Sequence, residues 1–302
     1  MHDLEIKHFP VVTKLFGQVR FICSGNFKSL MNQKNNTMHN YQKICEETVN
    51  IARETGCFVK NFRLNHKPEV ETKGKNDFVT QIDKASERQL VEALGSLLPE
   101  AGFIAEENTS EKTGETLNWI IDPIDGTTNF IHGLYPYAIS IALKEKNRIV
   151  VGVVYEMGMD ECFYTWEGGP ALLNGKEIHV SDTSNVGDSL IATGFPYTNY
   201  GLIQNFMETL NYFMKNSHGL RRLGSAAVDL AYVACGRFDG FYEYNLKAWD
   251  VAAGAFLVQQ AGGKVSDFKG GDNYLFGKEL VCANSLMFEE MQQTIERIMR
   301  VD

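Results

Sequence analysis

No apolar run in this 302-residue sequence approaches the roughly 20 residues that a membrane-spanning helix needs. A basic excess is also missing. The chain carries 29 Lys and Arg against 38 Asp and Glu, a net charge of -9, so neither a membrane nor nucleic acid is an expected partner. The six cysteines, Cys23, Cys45, Cys57, Cys162, Cys235 and Cys282, include no C-x-x-C pair, and no His stands at metal-ligand spacing. That pattern excludes a disulfide framework and a zinc centre, and it suits reduced thiols in the cytoplasm. Neither a phosphate-binding G-x-x-x-x-G-K-[ST] loop nor a 12-residue D-x-D-x-D-G calcium loop is present. What remains is 44% apolar and 22% charged, the composition of a globular protein with a sizeable core.

The charge is unevenly spread. Residues 1–37 hold five basic and two acidic side chains, leaving 24 basic and 36 acidic residues for the rest. The apolar stretch of this segment is broken by Lys14 and Arg20, and no small-residue cleavage site follows. Residues 1–37 are therefore expected to be a poorly ordered extension ahead of a natural start at Met38. The remainder, 38–302, is read as one domain with halves at 38–183 and 184–302.

Helical spacing of apolar residues predicts helices near 41–62, 84–98, 202–215, 225–235, 250–261 and 286–299. Residues 65–75 read as a polar loop. Strands are expected at 102–105, 119–121, 137–143, 149–155, 162–166, 238–243 and 279–283, the three beginning at 137 being successive and antiparallel. Strands crowd the middle and alternate with helices later, which implies mixed α/β layers.

The most informative segment is Trp119-Ile-Ile-Asp-Pro-Ile-Asp-Gly-Thr-Thr-Asn129. An apolar strand delivers Asp122, Pro123 bends the chain, and Asp125 follows before a helix start at Gly126. Two carboxylates on such a turn, with the Ile124 carbonyl between them, suit a hard cation such as Mg²⁺. Amides at Gly126 and Thr127 suit a phosphate oxygen. Taken alone, Asp122 and Asp125 could simply cap a turn. Three further acids shift the balance. Glu106 ends the short strand Phe103-Ile-Ala105, where strand pairing would set it beside Asp122. Asp250 opens an apolar helix, a favourable charge placement in its own right. Asp83 closes the alternating run Asp77-Phe-Val-Thr-Gln-Ile-Asp83, where a helix cap is the plainer role.

These blocks, with Lys247-Ala-Trp-Asp-Val-Ala-Ala-Gly254, Gly224-Ser-Ala-Ala-Val-Asp-Leu-Ala231 and Ala261-Gly-Gly-Lys-Val-Ser-Asp267, resemble in order and separation the signature motifs of the inositol monophosphatase family. They are nearest to its bacterial members. The likeness begins at about Met38 and runs to the C-terminus. It implies a layered α-β-α-β-α sandwich and Mg²⁺-dependent hydrolysis of a small phosphorylated polyol, myo-inositol monophosphate, by direct attack of water. It implies two or three Mg²⁺ per site held by Glu106, Asp122, the Ile124 carbonyl, Asp125 and Asp250. Thr127, hydrogen-bonded to Asp83, would orient and deprotonate the water. Substrate contacts would come from Gly126, Thr127, Gly224, Ser225, Ala226 and Glu243. A homodimer is part of the same resemblance.

One residue departs from the animal members of that family. Lys247 stands where they carry a histidine, and a cation there would favour a more anionic substrate. Arg221 and Arg222 offer the same positive charge to such a substrate, but a structural ion-pair role is put ahead of that one. The related alternatives are fructose-1,6-bisphosphatase and 3′(2′),5′-bisphosphate nucleotidase. A catalytically silent regulatory protein on the same fold would be expected to have lost a metal acid or Thr127, and every one is present. A phosphatase using an aspartyl nucleophile needs D-x-D, whereas Asp122 and Asp125 are three apart.

Overall fold

The structure is a computed structural model that describes residue 40 to residue 300 apart from residues 67–69, 75 and 76; the extension expected at 1–37 lies outside the described residues. In chain order the elements begin with helix α1 (Tyr41–Asn65), strands β1 (Val70–Gly74) and β2 (Asp77–Thr80), helix α2 (Gln81–Leu97), strands β3 (Gly102–Ala105) and β4 (Leu117–Asp125), and helix α3 (Thr127–His132). Then come β5 (Ala138–Glu145), β6 (Arg148–Glu156), β7 (Glu161–Trp166), β8 (Leu172–Leu173), β9 (Lys176–Glu177) and β10 (Leu190–Thr193). The chain continues with α4 (Ile203–Asn216), β11 (Gly219–Arg221), α5 (Ala226–Ala234) and β12 (Gly240–Tyr244). It closes with α6 (Ala248–Gln260), β13 (Lys264–Ser266), β14 (Glu279–Ala283) and α7 (Phe288–Met299).

β3 to β9 form a seven-stranded sheet in sequence order, parallel only between β3 and β4. The other sheet runs β11-β10-β12-β14-β13 and is mixed, with β10 parallel to both its neighbours. Helices α1 and α2 cover the outer face of the large sheet, α5 and α6 pack between the sheets, and α4 and α7 cover the outer face of the small one. This is the expected layered α-β-α-β-α sandwich.

The strand sequences explain the layering. In β5, Ile139, Ile141 and Leu143 point into the cluster under α1 and α2, while Ala138 and Ala142 face α5 and α6. Side chains alternate across a strand, so bulky residues fill one face and small ones let the Ala-rich helices approach the other. A third cluster around Phe206, Phe213, Tyr242 and Met291 fills the space beneath α4 and α7. The five cysteines among the described residues are all free thiols. Among the described residues no helix is long and apolar enough to cross a membrane.

Two local expectations need correction. The stretch expected to be a polar loop, 65–75, contains β1, which pairs antiparallel with β2. The strand expected to run from Asp77 to Asp83 stops at Thr80, where α2 takes over. Alternation of residue type survives only four residues there because Thr80 and Asp83 form a capping box that starts the helix.

Candidate active site

Asp122 and Asp125 are three residues apart, so in a regular strand they would face opposite sides of the sheet. They do not, because β4 is irregular between them. Asp122 pairs with Ser140 and Asp125 with Ala138, three residues against two. The extra residue at Pro123-Ile124 resets the alternation, and both carboxylates open into one cleft of about 310 Å³. Asp250 joins them from the first turn of α6, and each of the three acids offers an oxygen within 4.8 Å of the others. Glu106 arrives as the sequence implies: the parallel register sets Ala105 against Ile121, which places the next residue beside Asp122.

Asp122, Asp125, Asp250 and Asp83 are each held by hydrogen bonds. The Ile124 N–H donates to Asp122 Oδ1 at 2.9 Å. Asp125 Oδ2 accepts from Ser225 Oγ at 2.6 Å and from the Ala227 N–H at 2.7 Å. Asp250 Oδ2 accepts the Lys247 N–H at 2.6 Å, so its helix-capping role and its place in the cluster coexist. Asp83 is the third helical residue of α2; its Oδ2 accepts the Thr80 N–H at 2.9 Å, and its Oδ1 accepts the Thr127 hydroxyl at 3.2 Å. That hydroxyl also lies 2.9 Å from the Ile124 carbonyl. The expected Thr127–Asp83 pair is therefore present.

The donor set fits a hard cation. It consists of carboxylates and a carbonyl, and Asp122 is only 2% exposed. Burial, then the charges of Glu106, Asp125 and Asp250, push the Asp122 carboxyl well above its usual range. Burial raises Asp125 to about 6 against hydrogen bonds from Ser225 and Ala227, and burial with Asp125 nearby raises Asp250 to about 7. Like charges this close are costly unless protonated or neutralised by a cation.

The sign of the resulting pH dependence follows. These carboxyls titrate higher in the folded chain than in the unfolded one, so their favourable contribution is present below about pH 4 and disappears as pH rises through 6 to 7. Metal-free protein is expected to melt at a lower temperature at pH 8 than at pH 5, and Asp250→Asn to flatten that slope. Thermal unfolding in chelator across this range checks it; an equally steep slope in the variant would contradict the assignment.

Other expected residues fall around the same cleft. Gly126 has φ 91° and precedes α3, where only glycine is unstrained. Its N–H points to the Asp125 carboxylate. Thr127, Gly224, Ser225 and Ala226 line the cleft, as do Glu243 and Lys247. Ser225 is chiefly a support for Asp125. Glu243 is 8% exposed, not a solvated strand-end acid. A β-carbon on Gly194 would fall 1.9 Å from a Glu243 carboxylate oxygen, so that glycine makes the space for it.

Sequence reasoning missed four residues here. Arg222, read as structural, lines the cleft with Tyr197. Asp229, buried on α5, has an Oδ1 without a hydrogen-bond partner, and burial, with Glu243 and Asp125 nearby, raises its carboxyl. Glu87, buried on α2, accepts the N–H groups of Glu107 and Thr109 at 2.7 and 2.8 Å and so fixes the turn after Glu106. Only burial, invisible locally, distinguishes such acids from surface ones.

The sequence model of the inositol monophosphatase family matches residues 40–300. An inositol-1-monophosphatase of Mesorhizobium japonicum is 40% identical over 230 residues, covering 76% of this chain and 86% of its own. The Nus factor SuhB of Escherichia coli K12 is also 40% identical, over 245 residues, 80% of this chain and 92% of that protein. Among solved structures, the extragenic suppressor protein SuhB of Bartonella henselae superposes with a TM-score of 0.80 at 36% identity, covering 84% of this chain and 99% of its own. The Thermotoga maritima IMPase gives 0.77 at 33% identity, with 84% and 96% covered.

Proposed function

The chain belongs to the inositol monophosphatase family, and from that premise we propose that it is a Mg²⁺-dependent phosphomonoesterase that hydrolyses myo-inositol monophosphate to inositol and phosphate. The observation that carries this reading is the convergence of Asp122, Asp125 and Asp250 in one cleft, beside a hydroxyl already bonded to a buried carboxylate. When bound, Mg²⁺ supplies neutralisation of phosphate charge and acidity toward the attacking water. In this reading Glu106, Asp122, Asp125, Asp250 and the Ile124 carbonyl hold two or three such ions.

The remaining work falls to the chain's own groups. Thr127 Oγ1 orients the water and takes its proton while passing its own to Asp83. Burial raises the Asp83 carboxyl, with the Thr80 and Thr127 bonds opposing, so its proton affinity suits a general base. Gly126 and Thr127 present the phosphate to the acids, and Gly224, Ser225 and Ala226 bound the far side of the substrate. Glu243 and Lys247 receive the ring hydroxyls. Positioning and fixed charge then supply most of the acceleration. A cytoplasmic homodimer belongs to the same reading.

The name Nus factor, borne by the Escherichia coli relative, raises a second reading: a binding or regulatory protein on this fold. Retention of all four acids, Asp83 and Thr127 favours the enzyme. The test is phosphate release from inositol monophosphate, fructose 1,6-bisphosphate and adenosine 3′,5′-bisphosphate, each with and without Mg²⁺. The highest Mg²⁺-dependent kcat/KM is expected for the inositol ester. Higher values for either bisphosphate would transfer the assignment to that substrate, and no release from any of them would sink the enzyme reading.

A further inference from the structure

The acid cleft also contains a cation, Arg222, that forms no ion pair with Asp125 or Glu243 among the described residues. Arg222 follows β11 and lines the cleft, where its guanidinium lies over the rings of Phe195 and Tyr197 at 5.3 and 5.5 Å. Its Nη2 donates to the Tyr197 hydroxyl. Its Nε is buried and has no hydrogen-bond partner. Asp125 and Glu243 both feel its positive charge, yet neither forms an ion pair with it among the described residues. An orphaned buried donor on a guanidinium is costly, and two aromatic rings fix the group at little further loss of side-chain freedom. A planar fork held this way suits bidentate recognition of an anion.

Its position relative to the reacting end is defined by two glycines. A β-carbon on Gly126 would lie 3.1 Å from the Gly224 carbonyl oxygen, and one on Gly224 would lie 2.7 Å from Arg222 Nη1. Gly126 borders the acids, Gly224 comes next, and Arg222 lies beyond. A substrate with its scissile phosphate at the acids and its body along Gly224 would bring its far side to Arg222, which lines the same cleft. Lys247, exposed on the rim of the same cleft, adds positive charge there.

We propose that Arg222 is a specificity-determining residue that binds a second phosphate on the substrate, across the polyol from the phosphate being cleaved. The inference rests on the phosphomonoesterase reading and shifts the preferred substrate from an inositol monophosphate to an inositol bearing two phosphates, of which the one near the acids is removed. Arg221, one residue away, is exposed and donates to the Leu220 carbonyl, so it serves as the control.

The test compares kcat/KM for inositol 1,4-bisphosphate with that for inositol 1-phosphate, both with Mg²⁺. A parallel arm uses 6-phosphogluconate, whose second anion is a carboxylate. The wild-type ratio of bisphosphate to monophosphate is expected to exceed one. Arg222→Met should lower that ratio roughly 10- to 100-fold, the range of one charged hydrogen bond, and Arg221→Met should leave it unchanged. Arg222→Lys keeps the charge and stem, so it answers the question if the Met variant fails to fold; loss of the fork should still lower the ratio. A wild-type ratio below one, or a ratio indifferent to both Arg222 variants, overturns the inference while leaving monoester hydrolysis standing. A preference for the carboxylate arm overturns the choice of phosphate. Absence of release from every ester defeats the phosphomonoesterase reading itself.

Discussion

Asp122→Asn is expected to lower kcat/KM for phosphate release by about 1000-fold or more while leaving the metal-free protein folded and at least as stable. The side chain is almost fully enclosed, beside Glu106 and within reach of Asp125 and Asp250. Asn keeps the shape and keeps an oxygen to accept the Ile124 N–H, so the turn between the two strand acids survives. What it removes is a negative charge from a cluster of acids whose oxygens lie close enough to hold a cation. Without metal, that removal relieves repulsion among buried carboxylates. With metal, it deletes a ligand, and the loss of one fixed electrostatic contact to a transition state commonly costs 100- to 1000-fold by itself. Steady-state kinetics, Mg²⁺ binding by calorimetry and chemical denaturation of the same preparation separate the two effects. A loss of only a few-fold would mean that Asp122 does not hold the metal.

Gly254→Val is expected to destabilise the fold by about 3 kcal/mol and to reduce activity although the new side chain would point at Leu230 and not into the cleft. Gly254 lies on α6 against α5, where a β-carbon would come within 2.5 Å of Leu230 Cβ. That atom is fixed to its backbone, so no rotamer relieves the overlap and the helices must separate. Neither has room, since both are packed between the two sheets; Gly152 of β6 already brings its Cα close to the Ala253 carbonyl, which a β-carbon there would meet at 3.0 Å. The same two helices carry Asp250 and the Ser225 and Ala227 groups that hold Asp125. Displacement should therefore spread the acids. Guanidinium denaturation measures the first effect and Mg²⁺ affinity the second; an unchanged midpoint would show that the helices part without cost.

Much of the site was legible because it is written in local chain chemistry. An apolar strand ending in Asp-Pro-Ile-Asp-Gly-Thr fixes where Asp122, Ile124, Asp125 and Thr127 fall, whatever the rest of the chain does. Glu106 was placed by pairing of two short strands, and the alternation of Phe241-Tyr-Glu-Tyr244 put Glu243 opposite its tyrosines, in the cleft while they enter the cluster under α4. The short strands β8, β9, β11 and β13 escaped notice, being two or three residues long, too few for any period to register.

Lack of basic excess, of paired cysteines and of long apolar runs was determined by the sequence alone, as were the number and spacing of the acids. Their convergence was not. It depends on a bulge in β4, on helices α5 and α6 held between two sheets, and on contacts between residues a hundred positions apart, such as Ser225 with Asp125. The same packing turns Arg222 into a cleft residue that has no carboxylate partner among the described residues, and Glu87 into a buried brace. A carboxylate or guanidinium reads alike in any sequence; its burial and its partners, which set its proton affinity and its use, come only from tertiary structure.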